Sequence, residues 1–258
     1  MFSITVLLVL NLDHGLSGAF LARIVSAAVV PACLLVFLFR RPCRRASYLS
    51  EVKTMASTTI PMAVFIISST VLVQFDRLFV RNLLTSDSGG FGAVITLGVM
   101  PLLLIGPIVF IVFPLSAAEH AGGRTLSRFY RQSVLLALTV TGAIVLGIVL
   151  FGEPLFEMWN PNFKAYAGFA ALYALAMGIE GTVHALASIE MARHRYACLW
   201  VMAITAFAMC TVLYILRFSI DLAGLIVVLG LSRVALLVGT LCVISRLSSA
   251  ETATRPAD

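Results

Sequence analysis

Arginine, acidic and histidine side chains lie inside long apolar stretches of this 258-residue chain. On insertion scales an Arg, Lys or Asp at the centre of a membrane-spanning helix costs about 2.5–3.5 kcal/mol, so a chain that keeps several must place them where they meet water or each other. The set comprises Arg23, Arg77, Arg81, Arg233, Asp76, Glu180 and His184. It indicates either a water-filled cavity or ion pairs within a helical bundle.

The charge balance of this set favours an anionic ligand. Four arginines against two carboxylates, with histidine neutral, leave a net charge of +2 within the apolar stretches. Phosphate oxygens accept paired hydrogen bonds from the planar guanidinium group. A cavity lined by these residues suits a ligand that carries phosphate.

Spacing places part of the set on one helix face, here named the polar stripe. The polar stripe consists of Thr70, Gln74, Arg77 and Arg81. Its steps of four, three and four residues align the side chains along a helix, and Asp76 lies about 100° around the same helix. We expect the stripe to face the cavity.

A second alignment is weaker. It consists of Tyr173, Glu180, His184 and Ser188, at steps of seven, four and four residues. The apolar Met177 interrupts it. Glu180 and His184 could face the cavity, or they could form a hydrogen-bonded pair that joins two helices.

The depth of the arginines leaves alternatives open. Arg23, Arg77 and Arg81, with Asp76, lie near enough to the ends of their stretches to extend to the membrane surface. Arg233 stands about twelve residues from either end of its stretch. It is therefore the charge that most needs a cavity or a partner.

Composition restricts the class of protein. Hydrophobic residues make up 60% of the chain and charged residues 12%, against roughly 45–50% and about 25% in soluble domains. These values exclude a soluble enzyme and a disordered chain. The apolar stretches are 1–12, 17–39, 56–84, 91–117, 133–152, 165–191, 197–216 and 221–245. We expect an all-α, polytopic transmembrane bundle of about eight spans, because lipid leaves backbone amides no other partner.

The basic residues predict the orientation. If the N-terminus lies inside, the cytoplasmic segments carry most of the loop arginines and lysines, and both termini face the cytoplasm. The same residues explain a pI near 9.4 without a nucleic-acid partner. The five cysteines show no metal-binding spacing, and no metal or cofactor is expected.

Three short motifs resemble those of a known family. They are Phe75–Val80 (FDRLFV), Gly89–Gly92 (GGFG) and Phe113–Ser116 (FPLS). In this order they resemble the polysaccharide transporter family of the multidrug/oligosaccharidyl-lipid/polysaccharide exporter superfamily, which includes O-antigen (lipopolysaccharide) and other lipid-linked oligosaccharide flippases. The family's usual Tyr in the outer loop is replaced by Phe91 here.

The resemblance implies an arrangement in lobes. Residues 1–39 would be the last two helices of an incomplete first lobe, 40–55 a basic cytoplasmic inter-lobe loop, 56–246 a six-helix second lobe, and 247–258 a cytoplasmic tail. The family's two-lobed plan implies further helices, which a second chain could supply.

The resemblance also implies a mechanism. A lipid-linked oligosaccharide of the undecaprenyl-pyrophosphate type would cross the bacterial cytoplasmic membrane by alternating access, for polysaccharide biosynthesis. The implied substrate-binding residues are Arg77, Arg233, Arg23, Arg81, Asp76 and Gln74, and the implied coupling residues are Glu180 and His184. In this scheme Arg77 and Arg233 bind the pyrophosphate, and Asp76 orients Arg77.

Two other functions stay open. A multidrug or cation antiporter of the same superfamily predicts an acidic cavity, whereas the excess charge here is positive. A membrane-embedded polysaccharide-assembly enzyme or subunit would need a large outer loop or paired catalytic carboxylates, and only Glu153 and Glu157 share a short outer loop. The sequence has no P-loop, so a transporter of this kind would use a gradient or substrate flux. A non-enzymatic transporter is favoured.

Overall fold

The structure, a computed structural model, describes residues 48–84, 87–122 and 127–254, and every regular element in these ranges is helical. The elements are α1 (Tyr48–Leu83), α2 (Ser88–Gly98), α3 (Met100–Ala121), α4 (Ser127–Trp159), a 3₁₀ helix (Pro161–Tyr166), α5 (Ala167–Ala192), α6 (Ala197–Leu216) and α7 (Leu222–Thr254). The chain divides into two compact units, Met1–Ala56 and Ser57–Asp258.

Six candidate membrane spans lie in the described residues, all of them within the second unit. They are Thr59–Arg81, Ser88–Glu119, Phe129–Trp159, Pro161–Ala192, Ala197–Leu216 and Leu222–Leu247. Each is long and apolar enough to cross a bilayer whose hydrocarbon core is about 30 Å thick. The prediction of an all-α, multi-pass membrane protein is thus confirmed for these residues. The further predicted spans 1–12 and 17–39 lie outside the described residues, and the orientation of the termini stays a prediction.

The second of these spans consists of two helices, α2 and α3, which meet at Val99. The sequence predicts a disturbed helix here from its glycines and prolines, and Gly98 and Pro101 flank the junction. Pro101 has no backbone N–H to donate to the carbonyl of Leu97, so the helical hydrogen-bond pattern is interrupted. The prolines inside α3 do not end that helix.

Several helices extend beyond the predicted stretches. The helix α1 begins at Tyr48, so the end of the predicted loop 40–55 is helical, and α7 continues to Thr254, within the predicted tail. The helix α4 runs to Trp159, through part of the predicted outer loop. Apolar composition marks where a helix enters lipid, but a helix that has formed also continues into water when its residues allow it.

Helix α5 is the centre of the second unit, where it packs against α2, α3, α4 and α7. In its most apolar window 67% of the residues are buried, whereas the other spans bury 17–33% of theirs. Alanine and glycine are frequent in α5, and small side chains let membrane helices approach closely. At Gly178 an added Cβ would overlap the side chain of Thr141 on α4.

Replacing Gly178 by alanine is therefore expected to destabilise the contact between α4 and α5. Overpacking a close contact of this kind costs about 1–3 kcal/mol. Gly142→Ala on α4 is the matched control, because nothing lies within 4 Å of the position that its Cβ would take. Thermal unfolding of the detergent-purified variants measures the difference, and equal midpoints would show that the close approach is not needed.

Large apolar side chains cover the outside of the described helices. Phe110 on α3 is 82% exposed and Phe207 on α6 is 76% exposed. Such a surface is stable against lipid and would aggregate in water. Hydroxyl groups on this surface bond within their own helix, as Thr139 does to the carbonyl of Leu135 at 2.8 Å. The outer surface therefore suits a bilayer.

Candidate functional site

The guanidinium group of Arg233 on α7 is completely buried and contacts three other helices. Its Nε lies 2.7 Å from Oε2 of Glu180 on α5. One terminal nitrogen donates to the backbone carbonyl of Leu72 on α1. The other donates to Sδ of Met209 on α6, at 3.1 Å. Arg233 thus connects α1, α5, α6 and α7 inside the bundle.

Glu180 is the counter-ion of Arg233 and is also completely buried. One turn further along α5, Nε2 of His184 lies 3.6 Å from Oε1 of Glu180. The ring of His184 meets Phe65 of α1 edge-on, with 5.4 Å between the ring centroids. The sequence left open a cavity or an ion pair for these charges, and for Arg233 and Glu180 the structure has the ion pair.

Asp76 forms the contact next to this ion pair. The hydroxyl of Tyr173 on α5 donates to Oδ2 of Asp76 at 2.5 Å, and both side chains are completely buried. The backbone N–H of Arg77 donates to Oδ1 of Asp76 at 2.7 Å. Both carboxylate oxygens therefore have a donor. Asp76 thus contacts Arg77 through the backbone of Arg77, and the predicted orienting of the Arg77 guanidinium group by Asp76 stays a prediction.

These contacts set the register between α1 and α5. The buried polar cluster consists of Asp76, Tyr173, Glu180, His184 and Arg233. Along α1, Asp76 meets Tyr173 and Phe65 meets His184, so α1 and α5 run antiparallel. The ion pair lies near the middle of the spans Thr59–Arg81 and Leu222–Leu247. The cluster therefore joins α1, α5 and α7 inside the bundle.

The polar stripe lies on another face of α1. Gln74 and Arg81 are exposed on the surface of the second unit, and Arg77 is half-buried. Thr70 is exposed too, but its hydroxyl already donates to the carbonyl of Ile66 at 2.7 Å. The polar stripe, which the sequence assigns to the cavity, therefore lies on the outside of the second unit. Asp76 points into the interior of that unit.

The structure thus separates the predicted site residues into two groups. The buried group is Asp76, Glu180, His184 and Arg233, and the group on the surface of α1 is Gln74, Arg77 and Arg81. Arg23 lies outside the described residues. The prediction that the guanidinium groups of Arg77 and Arg233 line one shared cavity does not hold for this arrangement, because Arg233 is enclosed by protein. The roles of these residues in binding and coupling stay predictions.

Sequence reasoning missed several partners of the cluster. Leu72 contributes a backbone carbonyl, for which no side chain gives a signal. Met209 and Phe65 are typical apolar residues of a bundle interior. Tyr173 was part of a predicted face but had no predicted role. These contacts join residues on different helices, and the sequence does not show which helices are neighbours.

A second polar contact joins α4 to the end of α5. The hydroxyl of Tyr130 donates to Oε1 of Glu190, which is 1% exposed. Arg193 places its terminal nitrogen 3.6 Å from the same oxygen. This contact lies at the end of the spans predicted to face the cytoplasm. It fixes the end of α5, as the buried polar cluster fixes its middle.

Two cavities in the described ranges lie away from the cluster. One, of about 140 Å³, is lined by residues that include Met62, Phe113 and Tyr196. The other, of about 560 Å³, lies between α3 and α4. No residue of the buried polar cluster lines either cavity. The cluster is thus packed within the protein.

The function has to be inferred from this geometry. Within residues 48–84, 87–122 and 127–254, no group of three His, Cys, Asp or Glu side chains is placed to hold a metal ion. Comparison of the chain with protein-family models, with curated proteins and with solved structures gives no match.

Proposed function

We propose that the chain belongs to a transporter that moves a lipid-linked oligosaccharide of the undecaprenyl-pyrophosphate type across the bacterial cytoplasmic membrane, for polysaccharide biosynthesis. The polar stripe of α1 binds the anionic headgroup, and the buried polar cluster holds α1 in the orientation that presents the stripe. The lipid tail stays in the bilayer while the headgroup crosses. No covalent chemistry is involved.

The exposure of Gln74 supports this proposal most directly. Gln74 lies two helical turns from the Arg81 end of its span, about 10 Å into the membrane at 1.5 Å per residue. Lipid offers no partner for the donors and acceptor of an amide, and an unpaired polar group there is costly. Unlike Thr70, Gln74 has no hydrogen bond within its own helix among those observed. A polar pathway beside α1 would satisfy it.

The arginines of the stripe give the pathway its preference for anions. Arg77 and Arg81 continue the face of Gln74 toward the end of the span. A phosphate group cannot cross hydrocarbon unaided, and guanidinium groups replace its lost hydration with charge-assisted hydrogen bonds. The other side of the pathway would be formed by helices beyond the six described spans, contributed by a second chain or another part of the same protein.

The ion pair between Arg233 and Glu180 offers a means of coupling in this proposal. Arg233 binds a substrate phosphate only when its ion pair with Glu180 is broken. Phosphate oxygens and the Glu180 carboxylate would then compete for the same guanidinium group. A released Glu180, next to His184, would take up a proton or a cation.

A multidrug or cation antiporter is the second candidate. The observation that favours it is the presence of two completely buried carboxylates, Asp76 and Glu180, within membrane spans. Buried acidic groups are typical of proton relays in transporters. An antiporter would move cationic dyes in exchange for protons that move down a pH gradient, and it would not need Arg77.

Reconstitution tests the proposal. The full chain, in liposomes with a fluorescent lipid-linked oligosaccharide, is assayed for transfer of the sugar to the side reached by an added lectin. Arg77→Ala is expected to lower the initial rate about tenfold, because a hydrogen bond to a charged group contributes about 1.5–3 kcal/mol. Arg246→Ala removes the same charge from an exposed position at the far end of α7 and is the control.

Equal rates for Arg77→Ala and the unchanged protein would contradict the binding role of the stripe. Transport of a cationic dye, with no transfer of the lipid-linked sugar, would identify the antiporter instead. Both measurements use the same liposomes, so a failure of reconstitution would be seen in both.

A further inference from the structure

An open groove between α3 and α4 takes no part in the proposed transport. Its volume is about 560 Å³. Most of its lining residues are apolar, and four of these side chains are themselves about half exposed: Ile111, Leu115, Leu135 and Leu136. The groove opens on the surface of the bundle and takes no part in the buried polar cluster.

The groove has the depth of one membrane leaflet. It extends along α4 from Phe129, the first residue of its span, to Thr139. Ten residues of helix cover about 15 Å, which is half of the hydrocarbon thickness of about 30 Å. On α3 the groove reaches from Leu115, near the end of that span, to Ile108. A membrane-spanning helix would need a groove as long as the whole hydrocarbon thickness. The acyl chain of a lipid needs a groove only as long as one leaflet, which is the length found here.

The shallow end of the groove is polar and basic. Gln132 lines it and is exposed, and the neighbouring Arg131 is exposed as well. Both lie within one helical turn of the start of the span, at the depth of lipid headgroups. Basic sites between membrane helices on the cytoplasmic side are typical binding sites for anionic lipid headgroups.

We propose that this groove binds an anionic phospholipid of the inner leaflet. One acyl chain lies between α3 and α4 along Ile111, Leu115 and Leu136, and the phosphate accepts hydrogen bonds from Arg131 and Gln132. The site is separate from the polar stripe, and its occupancy does not depend on the proposed transport.

Native mass spectrometry of the full-length chain in detergent tests the proposal. The probes are phosphatidylglycerol and phosphatidylcholine, added at equal concentration. The chain is expected to retain phosphatidylglycerol about tenfold more tightly, because only its headgroup leaves a net negative charge for Arg131. Arg131→Ala should remove this preference and leave the weak binding of phosphatidylcholine unchanged. Arg246→Ala is its charge-matched control.

A second pair of variants tests the acyl chain. Leu136→Trp fills the groove, whereas Leu138→Trp places the same side chain at an exposed position of α4 that does not line it. The first should lower retention of both lipids, and the second should not. Size-exclusion chromatography verifies that both variants are folded, and if Leu136→Trp is not, the Arg131→Ala result decides.

Three results would overturn the assignment. They are equal retention of the two phospholipids by the unchanged chain, an equal loss in the Leu136→Trp and Leu138→Trp variants, and a polyisoprenyl phosphate that displaces phosphatidylglycerol from the groove. The last result would show that the groove holds the tail of a transported lipid.

Discussion

Arg233→Met is expected to destabilise the protein by about 3–5 kcal/mol, the usual cost of removing one partner from a buried ion pair. The substitution replaces the charged side chain with an unbranched apolar one, and it leaves the Glu180 carboxylate without its counter-ion. Glu180 is completely buried, and its other neighbour, His184, lies 3.6 Å away. Water cannot compensate the charge at that position. Glu180→Leu should cost a similar amount, because it leaves the guanidinium group unpaired.

The double variant should recover much of this loss. When both charges are replaced by apolar side chains, no uncompensated charge remains, and such replacements are often neutral or stabilising. Arg233 would still lose its contacts with the Leu72 carbonyl and Met209, so the recovery should be incomplete. A coupling energy of at least about 2 kcal/mol between the two sites is expected for residues in direct contact.

Unfolding by SDS in mixed micelles, followed by circular dichroism, measures the three variants against Arg246→Met. That control removes an exposed arginine from the same helix. If Arg233→Met unfolds no earlier than Arg246→Met, the guanidinium group reaches water in the folded protein. Arg233 would then line a water-filled cavity, as the sequence also allows, and would not depend on the ion pair with Glu180.

The two roles of the ion pair also separate experimentally. A double variant that is folded but does not transport would support the coupling role of Glu180 and Arg233. A double variant that transports at the normal rate would assign the pair to stability alone. Because the double variant is expected to be more stable than either single variant, it is the better variant for the transport assay.

The sequence predicts the spans well because apolar length is a local property. All six helical spans in the described residues correspond to apolar stretches of the sequence, and the interruption near Gly98 and Pro101 follows from residue type. Helix ends outside the membrane, such as Tyr48 and Thr254, depend on helix propensity in water, where hydrophobicity gives no signal.

The sequence predicts which charges lie deep in the membrane spans, but it does not predict which charges pair with each other. The position of Arg233 in the middle of an apolar stretch requires a partner or a cavity, and the structure supplies Glu180 from α5. The choice depends on which helices are neighbours. Helix periodicity reports only that residues share a face, not which element covers that face.

Helix α1 illustrates this limit. Periodicity correctly separates the face of Gln74 and Arg77 from that of Asp76, but the number of polar residues suggested that the first face points into the bundle. In the structure Asp76 points inward, because its single carboxylate meets the hydroxyl of Tyr173. A single well-paired charge is buried more readily than a row of side chains without partners.

A cysteine at position 74 is expected to react with a charged, membrane-impermeant thiol reagent on the order of a hundredfold faster than a cysteine at position 207, because only a thiol in water ionises to the reactive thiolate. Both positions are exposed on the described bundle, Gln74 on α1 and Phe207 at 76% on α6. Both also lie well inside their spans. Both positions are thus exposed and within the membrane, and they differ in whether water or lipid is expected beside them.

The experiment uses the full chain, with its five native cysteines replaced by alanine, in membranes. Gln74→Cys and Phe207→Cys are each exposed to the reagent, and the labelled fraction is followed with time by mass spectrometry. Slowing of the reaction at position 74 by a lipid-linked pyrophosphate would place the headgroup beside the polar stripe. If both cysteines are equally unreactive, Gln74 faces lipid or a packed helix, and the anionic pathway proposed along α1 does not exist.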